Sequence, residues 1–359
     1  MKILLDIGHP AHVHYFKNVI NKLQADGIIV KVIARDKEMT HTLLKEYGLE
    51  FINRGKGKNT FVGKLSYLIK ANFQLLRVSL NFKPDIFIGF GSPYAAQISY
   101  LLSKPSVILD DTENAKLGQL FYKNFAKTIL TPDCFKPSFG KKHLKFSGYM
   151  ELSYLHPNVF KFDEQILENY GISSNENYSV LRFVSWNAHH DFGHKGLSIQ
   201  NKVKAVKAFS KFGKVLITSE KELPAELEPY RMKINPIHIH HILGGASLFY
   251  GESATMASES AVLGTPAVYL DDVGRGYTKE QESKYGLVFN FSESQKDQEL
   301  SIIKGQEILQ MGKVKFEDSK FKLIKDKIDT SAFLFWFIKY YPQSQQIMQT
   351  TPDCQFNFE

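Results

Sequence analysis

The stretch Leu248-Phe249-Tyr250-Gly251-Glu252-Ser253-Ala254-Thr255-Met256-Ala257-Ser258-Glu259-Ser260-Ala261-Val262-Leu263-Gly264-Thr265-Pro266 joins an apolar strand to a helix through a run of small residues. The strand ends at Tyr250, and the helix starts at about Thr255 with Ser253 or Ala254 near its cap. Gly264 and Pro266 close it. The free amides and positive dipole end of such a start suit a diphosphate and need no lysine. Thr255 and Glu259 are four positions apart and share a helix face, so a carboxylate stands one turn beyond the start, where two ribose hydroxyls could reach it. A capped core helix with a solvated Glu259 is the plain alternative.

On either side of this stretch, short β-branched runs alternate with amphipathic patterns. In the first half the strands are Lys2 to Ile7, Ile28 to Ala34, Asp85 to Phe90, Ser106 to Leu109 and Thr128 to Leu130. Helices are expected at Phe16 to Leu23, Met39 to Tyr47, Gly63 to Leu80 and Tyr94 to Leu102. The second half repeats the scheme with strands Tyr178 to Val184, Lys214 to Thr218, Arg231 to Ile234, Leu248 to Tyr250, Pro266 to Leu270 and Leu287 to Phe289, and a helix Leu197 to Lys211. Such alternation implies parallel βαβ units, hence an α/β protein of two Rossmann-like doubly wound domains facing a cleft. The expected division is residues 1–150, a connection over 151–177, residues 178–330, an aromatic docking helix over 331–341, and a poorly ordered Gln-rich tail over 342–359.

A chain of 359 residues with 43% apolar and 23% charged residues suits two globular domains. Two cysteines, Cys134 and Cys354, make neither a disulfide framework nor a Cys-x-x-Cys site. No apolar run spans a bilayer and no secretory signal is read, so the expected compartment is the cytoplasm. The net charge of +8 favours anionic partners. No recognised nucleic-acid motif accompanies it, so nucleic acid is not expected. Lys56 to Lys83 reads first as a sheet-packing helix with a solvated basic rim, although basic amphipathic helices can also lie on membranes, which leaves peripheral contact at the inner membrane face open.

Nine of the twelve histidines fall in three clusters: His9, His12 and His14; His189, His190 and His194; and His238, His240 and His241. The first lies between the first strand and first helix and lacks the G-x-G-x-x-G glycines of a nicotinamide site. An unperturbed pKa near 6.5 would suit His12 as general base for a hydroxyl, with His14 and His9 as weaker candidates. No interleaved carboxylates match the histidines, so no metal is expected. Asp110-Asp111-Thr112-Glu113 ends a strand and offers Glu113 as a second catalytic candidate, or simply an acidic helix start.

The Gly251 to Pro266 segment resembles the nucleotide-sugar signature of GT-B-fold enzymes, the group of UDP-GlcNAc 2-epimerase and the peptidoglycan GlcNAc-transferase. With Gly8-His9-Pro10-Ala11-His12-Val13-His14 and Arg182-Phe183-Val184-Ser185-Trp186-Asn187-Ala188-His189-His190-Asp191, the chain is similar to a family of unknown function within that group. The resemblance implies that Ser253, Ala254, Thr255 and Glu259 hold the nucleotide, with Ser185, Asn187, His189 or His190, and His240 and His241 around it. It also implies a cleft role for His12. No cofactor is needed, and a UDP-sugar is the substrate. The epimerase pattern uses acids that this chain lacks: Ser92 replaces one, and Ala115 to Leu130 contains no Asp or Glu. The expectation is therefore a glycosyltransferase passing sugar to a glycan or lipid-linked acceptor in surface polysaccharide or glycolipid synthesis. Epimerisation and non-enzymatic nucleotide-sugar binding are the alternatives. The oligomeric state is not legible.

Overall fold

A computed structural model describes residues 1–58, 60–173, 176–184, 196–219 and 222–358. They form two compact units, Met1–Val159 with Lys327–Glu359, and Phe160–Asp326.

In the first unit, β1 (Lys2–Ile7), β2 (Ile29–Asp36), β3 (Phe51–Lys56), β4 (Ile86–Phe90), β5 (Ser106–Leu109), β6 (Thr128–Pro132) and β7 (His143–Phe146) make one parallel sheet in the order β3-β2-β1-β4-β5-β6-β7. Ile3, Leu4, Leu5 and Ile7 of β1 are all buried, as a central parallel strand covered on both faces requires. The order reverses between β1 and β4. With right-handed crossovers, the helices Pro10–Ala25 and Thr40–Glu46 cover one face, and Phe61–Phe82, Pro93–Leu101 and Lys116–Leu120 cover the other. Leu75, Ala95, Ala96, Ile108 and Tyr122 pack into one core on that second face.

The second unit holds β8 (Tyr178–Phe183), β9 (Lys214–Ser219), β10 (Leu248–Gly251), β11 (Ala267–Leu270) and β12 (Val288–Phe291), parallel in the order β12-β11-β10-β8-β9. Here the reversal lies between β8 and β10. Ligands of doubly wound sheets bind beyond the carboxyl ends of the strands at such reversals. Both sheets are therefore of the expected α/β class.

Several boundaries differ from expectation. The stretch 151–177 does not stand apart: Leu152–Leu155 packs into the first unit, and Glu164–Glu168 belongs to the second, where Leu167 is buried. The chain rejoins the first unit at Lys327, ahead of the aromatic helix Thr330–Lys339. The tail is not disordered, because Gln343–Thr350 is a helix and Pro352–Asn357 a 3-10 turn. Its polar groups make specific bonds: the Ser344 hydroxyl donates to the Phe337 carbonyl at 2.5 Å, and Gln355 Oε1 accepts the Ser147 N–H at 2.6 Å. Arg231 to Ile234 is no strand; Arg231 makes a single bridge to Ile217, and the chain then turns at Asn235-Pro236. The edge strands β3 and β7 escape a periodicity reading because Asn53, Arg54, His143 and Lys145 interrupt their apolar residues. Among the described residues, no helix is long and apolar enough to cross a membrane.

Candidate functional site

In the second unit the site is built where β10 passes β8. At Gly251 the two backbones are so close that a Cβ would lie 2.2 Å from the Arg182 carbonyl oxygen, so only glycine fits. Glu252 then folds its buried side chain back across the reversal. Its Oε2 accepts the Val184 N–H at 2.8 Å and its Oε1 the Leu197 N–H at 2.5 Å. Burial pushes this carboxyl up, against the pull of Lys202 and of those two amides.

Ser253 is the helix cap: its Oγ accepts the Met256 N–H at 3.4 Å, and the helix Ala254–Leu263 follows. The leading amides, on Ala254 and Thr255, precede the first intrahelical donor, the Ala257 N–H that bonds the Ser253 carbonyl, and form the positive end of the dipole. Ser253, Ala254 and Thr255 thus stand together at the carboxyl end of β10. Glu259 lies one turn further and is buried, not solvated. His240, on the neighbouring helix Ile239–Gly245, is also buried, and its Nε2–H donates to Glu259 Oε1 at 3.0 Å. A carboxylate can only accept, which fixes the tautomer if the imidazole is neutral.

His241 is not part of this group. Its Nδ1 accepts the Asp163 N–H at 3.1 Å and its ring rests on Phe160, centroid to centroid 4.9 Å, so it anchors the chain leading into the second unit. His238 likewise bonds Tyr170, with Nδ1 2.9 Å from the phenol oxygen. Ser185, Asn187, His189 and His190 lie outside the described residues.

In the first unit, His9 caps the helix Pro10–Ala25, its Nδ1 accepting the Ala11 N–H at 3.2 Å. Burial, with Lys37 nearby, lowers its pKa to about 4. His12 is half-buried beneath Phe90, with ring centroids 4.7 Å apart, and its Nδ1 accepts the Gly8 N–H at 3.3 Å. Burial, then His9, Lys37 and Arg54, push its pKa well below 6.5. The ring is thus not the unperturbed imidazole of the expectation. With Nδ1 accepting, the proton of the neutral ring sits on Nε2, which is a donor. His14 lies elsewhere. It is buried on another side of the helix, stacked on Tyr154 at 5.3 Å and edge-on to Tyr47 at 5.7 Å.

The acidic triplet divides in role. Asp110 is buried and accepts from the Thr112 N–H at 2.9 Å, from Gln119 and from the Tyr122 hydroxyl; burial raises its pKa. Glu113 lies half-buried in the turn before Lys116–Leu120.

Sequence reading missed a third group. Asp6, at the end of β1, pairs with Arg54 of β3 at 2.8 Å and accepts from the Ser92 hydroxyl at 2.5 Å. Arg54 is only 2% exposed and lies 4.0 Å from the Tyr94 ring. Burial pushes the Asp6 carboxyl up while Arg54 and Ser92 oppose it. Ser92 reaches in only because Gly89 lacks a side chain, since a Cβ there would lie 2.6 Å from that of Ser92. The one signal was a charge interrupting the first apolar strand; the partners, 48 and 86 positions away, left none. In the second unit the same holds for the loop after β11, where Asp271 accepts from the Tyr269 hydroxyl at 2.7 Å and the Val273 N–H at 2.6 Å, 3.8 Å from Arg275.

The chain matches the family of proteins of unknown function DUF354 over residues 1–273. It belongs to that family. An uncharacterized relative, MJ0665 of Methanocaldococcus jannaschii, is 25% identical over 282 residues, 75% of this chain and 81% of that protein. Among solved structures, UDP-GlcNAc 2-epimerase from the same organism, in complex with UDP-GlcNAc and UDP, superposes with a TM-score of 0.68 at 11% identity, covering 95% of this chain and 100% of the other. The spinosyn rhamnosyltransferase SpnG, complexed with thymidine diphosphate, gives 0.60 at 13% identity over 93% and 99%. This DUF354 member therefore has the GT-B-like fold that its resemblance implied.

Two measurements check the site in the first unit. Nitrogen NMR of the His12 ring should show the Nε2–H tautomer, neutral through pH 7 and with a midpoint below 6.5; a midpoint at or above 6.5 would contradict the geometry. Arg54→Ala leaves a buried carboxylate without its partner and should cost about 3–5 kcal/mol in denaturant unfolding. Asp6→Asn combined with Arg54→Met should recover much of that loss. An Arg54→Ala cost below about 1 kcal/mol would mean that the pair behaves as an exposed one.

Proposed function

We propose that the protein is an enzyme acting on a nucleoside diphosphate sugar, and that it transfers the sugar, with UDP as the expected nucleotide. The observation that carries this is the arrangement after β10: a ten-residue helix capped by Ser253, leading amides at a sheet reversal, and a buried carboxylate one turn on that His240 orients. Leading amides and dipole suit the diphosphate, and Glu259 suits the ribose hydroxyls. Structural neighbours holding UDP-GlcNAc and UDP, or thymidine diphosphate, support the same ligand class.

Transfer is favoured over epimerisation by the state of the acids in the first unit. Expelling and re-adding a nucleoside diphosphate on one sugar needs acids and bases free to move protons at the ring. Asp6 is tied to Arg54 and Ser92, and Asp110 to Tyr122, Gln119 and Thr112, so neither is built for proton exchange. Transfer asks less of this unit: it must receive an acceptor, where His12 would offer its Nε2–H and Glu113 is the remaining candidate base. The acceptor class that suits the reading is a glycan or lipid-linked sugar. Epimerase is the second reading, favoured by the higher TM-score of the UDP-GlcNAc 2-epimerase, 0.68 against 0.60.

Calorimetry with UDP, thymidine diphosphate and their sugars tests the proposal. Binding of one class is expected, and Glu259→Ala should weaken it about tenfold or more by removing charge-assisted hydrogen bonds, with circular dichroism unchanged. Free nucleoside diphosphate formed only with an acceptor means transferase, and an altered sugar still on its nucleotide means epimerase. Unchanged affinity in a folded Glu259→Ala protein, or binding without turnover under either assay, would overturn the assignment.

A further inference from the structure

The helix Phe61–Phe82 is apolar on two opposite sides. On the inner side Leu75 and Phe82 join the core of the first unit. On the outer side Val62, Leu65, Ile69, Phe73 and Leu80 are exposed, Val62 by 76% and Phe73 by 71%. Spacings of three, four, four and seven residues set them in one row about 27 Å long. A sheet-packing helix ordinarily turns polar residues to water, and a solvated basic rim was the sequence expectation. Lys70 and Arg77 are exposed as that expectation required, but the row beside them is hydrocarbon.

The row continues sideways. Asn72 donates to Gln97 Oε1 at 2.7 Å, and Gln97 Nε2 donates to the Phe121 carbonyl at 2.9 Å, so the three helices on this face of the sheet lie side by side. Tyr100, Leu101, Leu117 and Phe121 add exposed apolar surface, and the Tyr100 ring lies 5.6 Å from that of Phe125. Scattered exposed apolar residues are normal, whereas a continuous tract across three helices marks a binding face.

Charge says what the face would bind. Residues 51–132 contain eleven Lys and Arg against four Asp and Glu, and with the buried Arg54, Asp110 and Asp111 set aside ten bases stand against two acids. Phe61–Phe82 has no acid at all, and Asp110 and Asp111 are buried. A second copy seated by a two-fold axis would set this positive surface against itself with scarcely an acid to pair. We propose that this face of the first unit docks on an anionic lipid bilayer. The helix Phe61–Phe82 lies in the interface plane with its apolar row at the acyl boundary, and Lys70, Arg77 and Lys116 sit at the level of the phosphates. The inference is independent of the nucleotide-sugar reading and needs no substrate to test.

The test is co-sedimentation of the full chain with vesicles of phosphatidylcholine alone and of phosphatidylcholine mixed with phosphatidylglycerol. Binding is expected only to the anionic vesicles, weakening as salt rises. Ile69→Glu with Phe73→Glu should lower it at least tenfold, and Lys70→Glu with Arg77→Glu likewise, each with unchanged circular dichroism. Phe321→Glu, a change of an equally exposed aromatic in the second unit, should leave it intact. Equal binding to neutral vesicles, no binding to anionic ones, or retention by the Ile69→Glu, Phe73→Glu protein would overturn the proposal. So would a concentration-dependent oligomer, seen by light scattering, that the same pair of changes abolishes.

Discussion

Where a parallel sheet reverses its strand order, the two strands at the reversal send their chains to opposite faces and leave a gap at their carboxyl ends. In both units a buried carboxylate spans that gap. Asp6 of β1 takes the hydroxyl of Ser92, which follows β4, and Glu252, which follows β10, takes the amide that follows β8. Each needs a glycine to allow the approach, Gly89 in one unit and Gly251 in the other. A buried charge is costly unless its hydrogen-bonding capacity is used, so these contacts fix the local geometry more strictly than apolar packing alone would. The helix of His12 and the helix of Thr255 and Glu259 both start from strand ends held in this way.

Residues that look alike in the sequence diverge because position on the helix decides their surroundings. His9, His12 and His14 are neighbours in the chain, yet one is a cap, one lies under Phe90 beside Arg54, and one is wedged between tyrosines. In the third cluster His240 meets Glu259, while His238 and His241 tie the Phe160 to Tyr170 segment to the turn Pro236–His238 and the helix Ile239–Gly245.

That pattern explains what was legible beforehand. The apolar runs of the central strands, the cap at Ser253 and the stop at Gly264 are local signals, and they placed the two sheets and the helix start correctly. Edge strands β3 and β7 were invisible because one side of an edge is wet and its residues are mixed. The Asp6–Arg54 pair joins β1 to β3 across β2, and nothing in either neighbourhood announces the other. In the tail, composition alone suggests solvated glutamines and serines, whereas Ser344 and Gln355 bond backbone atoms of the first unit.

The return of the chain to the first unit has a consequence for its biosynthesis. Ile328 bonds Ser147 through the backbone, Lys327 pairs with Asp133 at 2.9 Å, and Phe333 and Phe337 are fully buried, so this unit is assembled from two segments far apart in the sequence. The second unit is one uninterrupted segment, Phe160–Asp326, nested between those two segments. During translation the nested unit is complete while its host still lacks the aromatic helix Thr330–Lys339. The unit whose first segment is made earlier is therefore the later to close, because it waits for Lys327–Glu359.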